Sequence, residues 1–232
     1  MVVSREMDPI LVVAAHPDDE VLGCGGTMAR LSAAHTVYTA ILGEGMSSRY
    51  EQREQADPGQ LDALRQASRR VTAMLGVREV FLLGLPDNRF DELATLDVVK
   101  KVEDLIGRLQ PRVIFTHHPG DLNIDHAITF RAVLTATRPV PACPVREVYA
   151  FEIPSSTEWA FQRYEPVFRP NVFVDIARTI DVKLTAMQAY ESESRPSPHP
   201  RSVEALRAIA RRWGSVVGVE YAEPFELVRA LR

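Results

Sequence analysis

The stretch ILVVAAHPDDEVLGCGG, residues 10–26, joins an unbroken apolar run to a polar knot and then to a glycine-rich helix start. Ile10 to Ala15 has no polar residue to face water on either side, the pattern of a strand covered on both faces of a sheet. At six residues it is the longest apolar run in the chain and far too short to cross a bilayer. Pro17 fixes the turn, and a helix is expected from there to about Ala34.

Outward from this unit the pattern repeats. Val37 to Leu42, Val80 to Leu83 and Val113 to Thr116 read as further buried strands. Between them Leu61, Leu64, Ser68, Val71 and Leu75 recur at helical spacing, as do Leu96, Val99, Val102, Ile106 and Leu109, each set with charges on its opposite face. A further helix is expected from about Ala127 to Thr137. The alternation predicts an α/β fold: a mainly parallel, doubly wound sheet with helices on both faces and ligands at the carboxyl ends of the strands. Beyond Pro144 the pattern loosens. Val148 to Ile153 and Val172 to Ile176 read as strands, Ile180 to Tyr190 and Val203 to Trp213 as helices. The break RPSPHPRS, Arg195 to Ser202, cannot be helical, because prolines lack the amide donor and restrict their neighbours; an ordered loop or a lid is expected. No linker divides the chain, so residues 1–232 are read as a single domain.

Composition narrows the function. With 46% apolar and 25% charged residues the chain is of globular type, and its net charge of −4 supplies no positive field for nucleic acid. Cys24 and Cys143 lie far apart among small or apolar residues, which suits free thiols in a reducing, cytoplasmic compartment. The opening MVVSREMDPI has no apolar leader, so neither export nor membrane integration is expected.

Two polar clusters follow two of the strands. In the first, His16 and Asp19 stand three apart, so an imidazole and a carboxylate converge if the turn becomes the first helical turn. This is a zinc-type ligand pair, and Asp18, pointing elsewhere, is left to take a proton from a water. A helix dipole favours acids at this place and accounts for any one of them, but not for histidine, proline and three acids together at a strand end. The glycines do not make a dinucleotide fingerprint, because G-x-G-G lacks the required spacing and the acids would repel a pyrophosphate. The second cluster is THHPGDLNIDH, residues 116–126. In a doubly wound sheet the first and fourth strands lie side by side at the switch point, so His126 can complete a set with His16 and Asp19. Three N and O ligands with an open fourth position describe a catalytic zinc site. Turn formation by Asp121 and Asn123 and helix capping by Asp125 are compatible with that reading.

AHPDDE (Ala15 to Glu20) with the loop H-P-x-D-x-x-x-D-H (His118 to His126) resembles the LmbE-like, or PIG-L, family of zinc-dependent N-deacetylases. Gly43-Glu44-Gly45, Leu75-Gly76-Val77, Leu85-Pro86-Asp87-Asn88 and Tyr221-Ala222-Glu223 follow the family pattern in order, so the resemblance covers most of the chain. It implies a Rossmann-like fold, removal of acetyl groups from N-acetylglucosaminyl compounds, His16, Asp19 and His126 as ligands to zinc or another divalent metal such as ferrous iron, and Asp18 as general base. Homo-oligomers occur in such a family, although no interface signature is legible in this chain. Asn123 is the departure, standing where the family often has a histidine. An amide carries no titratable proton but can still donate a hydrogen bond to an oxyanion.

Around this centre Asp125 and His118 are read as residues that orient the ligands, while a loop histidine without a role is an equal reading of His117 or His118. Arg49 and Arg53 follow the second strand and are candidates for holding a phosphate or carboxylate; a solvated charged face is the plainer alternative. Asp87 is a candidate for binding sugar hydroxyls, and His199, in the proline-rich loop with Arg201, for closing over the site. Two other functions remain open from the residues alone: a metal-dependent amidase acting on a non-sugar amide, and a sugar-binding module without turnover.

Overall fold

The computed structural model describes residues 8–232. The leader-free reading of the N-terminus rests largely on residues 1–7, which lie outside the described residues.

Among the described residues seven strands form one sheet: β1 (Ile10–Ala14), β2 (Val37–Gly43), β3 (Glu79–Leu85), β4 (Val113–His117), β5 (Glu147–Phe151), β6 (Val172–Asp175) and β7 (Ala222–Ala230). The α-helices that accompany them are α1 (Asp19–Leu31), α2 (Pro58–Met74), α3 (Thr95–Leu109), α4 (Ile124–Ala136), α5 (Ile180–Ala189) and α6 (Val203–Val217). The strand order is β3-β2-β1-β4-β5-β7-β6, with the first five strands parallel and β7 antiparallel to both β5 and β6. The mainly parallel doubly wound sheet expected from the sequence is therefore present, and β1 and β4 are neighbours at the switch point. Among the described residues, no helix is long and apolar enough to cross a membrane.

The continuous apolar runs have the cause inferred for them. Ile10 and Val12 of β1 pack into the core that includes Leu22 and Met28 of α1, Val71 of α2 and Leu184 of α5, whereas Leu11 and Val13 pack into the core under α3 and α4 with Val102 and Ala132. Both faces of the strand are covered, so no position in it is left for a polar residue.

Element boundaries shift by a few residues, and one whole element differs from the sequence reading. Helix α1 stops at Leu31 rather than near Ala34, α4 starts at Ile124, and α6 runs past Trp213 to Val217, where Gly218 at φ 79° ends it in the left-handed conformation. Strand β7 is the element that the sequence pattern does not reveal. Pro224 interrupts its sequence AEPFELVRA and lowers the strand signal, yet in the sheet it stands opposite Phe173 on the short strand β6.

Helix α1 is broken at Cys24, whose φ and ψ of −149° and 26° are not helical. Breaking a helix orphans carbonyls before the break and amides after it. Two residues from the far end of the chain satisfy them: Lys183 Nζ donates to the Leu22 carbonyl at 2.9 Å, and Glu223 accepts from Gly26 N at 3.0 Å and Thr27 N at 2.7 Å. The two side chains also pair with each other at 2.5 Å and are both buried. Gly23 permits the close approach of this helix to the sheet, because a Cβ there would lie 2.4 Å from Phe151 Cδ2.

Candidate metal centre

The ends of β1 and β4 bring the two clusters face to face. His16 Nδ1 and His126 Nε2 each lie 3.3 Å from Asp19 Oδ2, and the three ligand atoms fall within 4.8 Å of one another. Asp19 also accepts the His16 backbone N–H at 2.8 Å, which draws the strand end and the first helical turn together. Burial works against a charged Asp19, but His126 and His117 beside it hold its carboxyl well below the ordinary range.

Each ligand histidine is gripped from behind. Asp125 Oδ2 lies 3.0 Å from His16 Nε2, with Asp87 Oδ1 at 3.3 Å, and Asp121 Oδ1 lies 3.0 Å from His126 Nδ1. These carboxylates are anchored in turn: Asp125 by Phe90 N at 2.9 Å, Asp87 by Ser48 Oγ at 2.6 Å, and Asp121 by the Ser156 and Thr157 hydroxyls. A carboxylate behind an imidazole fixes its tautomer and raises its basicity toward a metal. The surplus of acid is large enough that, against the effect of burial, Asp19 and Asp121 push His126 up to about 9. Two nitrogens and one oxygen converge in a field that calls for a cation, so these residues fit a divalent metal with N and O preference.

Asp18 sits beside this centre, turned away from Asp19 by a left-handed backbone at φ 102°. Such a conformation is strained in a residue with a Cβ, although Asp tolerates it better than most. Burial pushes its carboxyl above the ordinary range, and Arg201, donating to Oδ2 at 2.7 Å, works against that push. Glu20 steadies the turn. Its carboxylate accepts from Asp18 N at 3.1 Å and from the Tyr190 hydroxyl at 2.6 Å, and burial raises its own pKa to about 7.

The centre forms part of the wall of a cavity of about 560 Å³ that is also lined by Asp87, Asn123, Arg49 and Arg201. Asn123 is the N-cap of α4: its Oδ1 accepts from Asp125 N at 2.9 Å, and its Nδ2 donates to Asn88 Oδ1 at 2.8 Å.

Several candidates are placed differently from expectation. Arg53 is drawn out of the cavity into a bidentate pair with Glu44 at 2.7 and 2.8 Å. His118 faces away from the ligands, its Nδ1 accepting from Gly120 N at 3.1 Å and its Nε2 lying 3.4 Å from Glu226; His117, which stacks on His126 at 3.9 Å and accepts from Ala15 N, is the histidine beneath the centre. His199 does not line the cavity but packs edge-on against Trp159, which does. Asp87, expected to meet sugar hydroxyls, is engaged with His16, Ser48 and Asn88. Asp121, read mainly as a turn former, does accept from Asn123 N at 2.8 Å, and it is also the partner of His126. Ser155, Ser156, Glu193 and Arg201 complete the cavity from the second half of the chain; of these only Arg201 lies in a stretch that sequence marks, the proline-rich loop read as closing over the site.

A family model described as PIG-L: GlcNAc-PI de-N-acetylase matches residues 11–137, and the chain belongs to this family. Among curated relatives, the diacetylchitobiose deacetylase of Thermococcus kodakarensis is 26% identical over 97% of this chain and 84% of its own length. A probable N-acetyl-alpha-D-glucosaminyl L-malate deacetylase 2 of Bacillus cereus is 27% identical over 80% and 83%. Among solved structures, the conserved protein TT1542 from Thermus thermophilus superposes with a TM-score of 0.74 at 27% identity, covering 97% of both chains. The 4-carboxy-2-hydroxymuconate hydratase GalB shares the fold at a TM-score of 0.75, with 23% identity over 97% of this chain and 98% of its own. A hydratase on the same fold means that the reaction must be argued from the site.

Proposed function

We propose that this chain, as one domain, is a divalent-metal-dependent hydrolase, with zinc as the metal, that removes the N-acetyl group from an N-acetylglucosamine-type sugar or glycoconjugate. The observation that carries the reading is the convergence of His16 Nδ1, Asp19 Oδ2 and His126 Nε2 on a cavity wall, with a second acid, Asp18, beside them but not among them. Family membership and the acetyl-sugar deacetylases among the relatives point the same way.

His16, Asp19 and His126 would hold the metal, which supplies Lewis acidity toward a carbonyl oxygen and lowers the pKa of a water. Asp18 takes one proton from the attacking water as its oxygen bonds to the acetyl carbon. It passes that proton to the amide nitrogen as the C–N bond breaks, leaving a free amine and acetic acid, whose remaining proton passes to the amine or to solvent as acetate departs. Burial, which raises the affinity of Asp18 for a proton, suits it to this shuttle, and Arg201 fixes the direction in which its carboxylate points. Asn123 has one of its two amide N–H groups engaged by Asn88 and can offer the other to the developing oxyanion. Asp121 and Asp125 orient the ligand imidazoles. The free thiols Cys24 and Cys143 accord with a cytoplasmic setting.

Acetate release from N,N'-diacetylchitobiose by protein stripped with chelator, then reloaded with zinc, tests the reading. Activity lost on stripping and restored on reloading is expected. Equal acetate release from stripped and reloaded protein would overturn the metal-dependent reading, and no release under any loading would overturn the deacetylase.

A further inference from the structure

The cavity carries two arginines among its described lining residues, and each is paired with a buried acid. Arg49 Nη2 donates to both oxygens of Glu193 at 2.8 and 2.7 Å, across 144 residues of sequence. Arg201 donates through Nη1 to Asp18 at 2.7 Å and through Nε to Ser155 Oγ at 2.7 Å, with Glu193 Oε2 a further 3.6 Å from Nη1. Charges of opposite sign therefore run in a row, Arg49, Glu193, Arg201, Asp18, closed upon themselves along the wall. Glu193 is 7% exposed and cannot turn out to water without leaving its partners. An incoming carboxylate or phosphate that took Arg49 Nη2 or Arg201 Nη1 would displace Glu193 or Asp18 and strand a buried acid, and at the exposed edge of Arg49 it would meet a guanidinium whose charge Glu193 already offsets.

Beside polar lining residues such as Ser48, Asn88, Asn123 and Ser156, the wall carries an open apolar patch. Leu122, Ile124 and Trp159 line the cavity while remaining 47%, 48% and 41% exposed, although large apolar side chains are ordinarily turned inward. Such a surface offers area to the C–H faces of a second sugar or to an uncharged aglycone, and it offers nothing to an anion.

We infer that this chain selects an uncharged N-acetylglucosaminyl substrate whose aglycone rests on Trp159, Leu122 and Ile124, and that Glu193 is the specificity residue that excludes anionic conjugates by holding Arg49. The inference rests on the deacetylase reading above and narrows it. It distinguishes this chain from relatives named for a malate conjugate.

The test compares kcat/KM for N,N'-diacetylchitobiose with that for N-acetylglucosaminyl malate, read as amine released by the zinc-loaded full chain. The neutral disaccharide is expected to be preferred by about tenfold or more in the wild type, the scale on which a buried, unpaired polar group discriminates. Glu193→Gln frees Arg49 and is expected to shrink that ratio by roughly tenfold, chiefly through a lower KM for the malate conjugate. Reading a ratio within each protein cancels any general loss of activity, and the wild-type comparison needs no variant to fold. Trp159→Ala is expected to raise KM for the disaccharide by about three- to tenfold and to leave the malate conjugate less affected. A wild type that processes the malate conjugate as well as or better than the disaccharide would overturn the inference and leave the deacetylase standing. A ratio unmoved by Glu193→Gln would overturn the role of Glu193. Release of amine from neither compound would bring down the deacetylase reading and this inference with it.

Discussion

The parallel part of the sheet, β3-β2-β1-β4, and the part beyond it, β5-β7-β6, build one cavity by different means. In the first, crossover connections deliver every loop to the same edge, so short runs of sequence after β1, β3 and β4 bring His16, Asp18, Asp19, Asp87, Asp125 and His126 together. In the second, antiparallel β7 interrupts that rule, and single residues reach the site over long distances: Arg201 to Asp18 and Glu193 to Arg49, with Glu223 and Lys183 behind them at the break in α1. The difference is between carrying the chemistry and holding it in shape.

The sharpest way to break this division is at Asp18, in the first region but outside the proposed ligand set. Asp18→Asn keeps the size and loses the proton acceptor, and turnover is expected to fall by about 10²- to 10⁴-fold with bound metal unchanged. Near wild-type turnover would remove Asp18 from the proton path. Next in size is the brace supplied by the second region. Glu223→Gln leaves Lys183 buried without its counter-charge and one of the two amides after the break less well served, at an expected cost of about 3–5 kcal/mol in unfolding free energy, read from the denaturant midpoint. Unfolding at the wild-type denaturant concentration would show the brace to be dispensable.

A smaller effect is expected behind the ligands. Asp121→Asn and Asp125→Asn each leave the three ligands in place but slacken one imidazole, and metal affinity, measured by competition with a chelator, is expected to drop by about 10- to 100-fold. Affinity unchanged in both would deny these carboxylates an orienting role. The smallest effect is expected at Arg53, which sequence alone offers as a substrate residue. Arg53→Ala removes a half-exposed guanidinium from buried Glu44 outside the cavity, so a stability loss of about 1–2 kcal/mol and an unchanged KM are expected. A raised KM would return Arg53 to the site.

The same two regions differ in how far they can be read from sequence. Residues 10–26 and 116–126 announce themselves because local spacing and a buried strand suffice to place His16, Asp19 and His126 together, and the repeated strand and helix pattern then sets the sheet. Asp121 is half legible: its turn with Asn123 follows from local sequence, its contact with His126 does not, since that depends on how the loop folds back over α4. Arg201 and Glu193 are not legible as a pair. The proline-rich loop is read as closing over the site, but nothing near Glu193 says that the segment after α5 meets that loop there. Arg53 and His118 mislead for the converse reason, because proximity to a strand end does not fix which way a side chain turns, and Glu44 and Gly120 claim them. Strand β7 is hidden by Pro224.

The most direct test is the metal content of the purified full chain beside its Asp19→Ala and His126→Ala variants, with thermal unfolding to confirm that each is folded. About one divalent ion per wild-type chain, lost from both folded variants, is the expected result. A wild type that stays free of metal after zinc loading and dialysis, or variants that retain it in full, would contradict a metal centre built from the ends of β1 and β4.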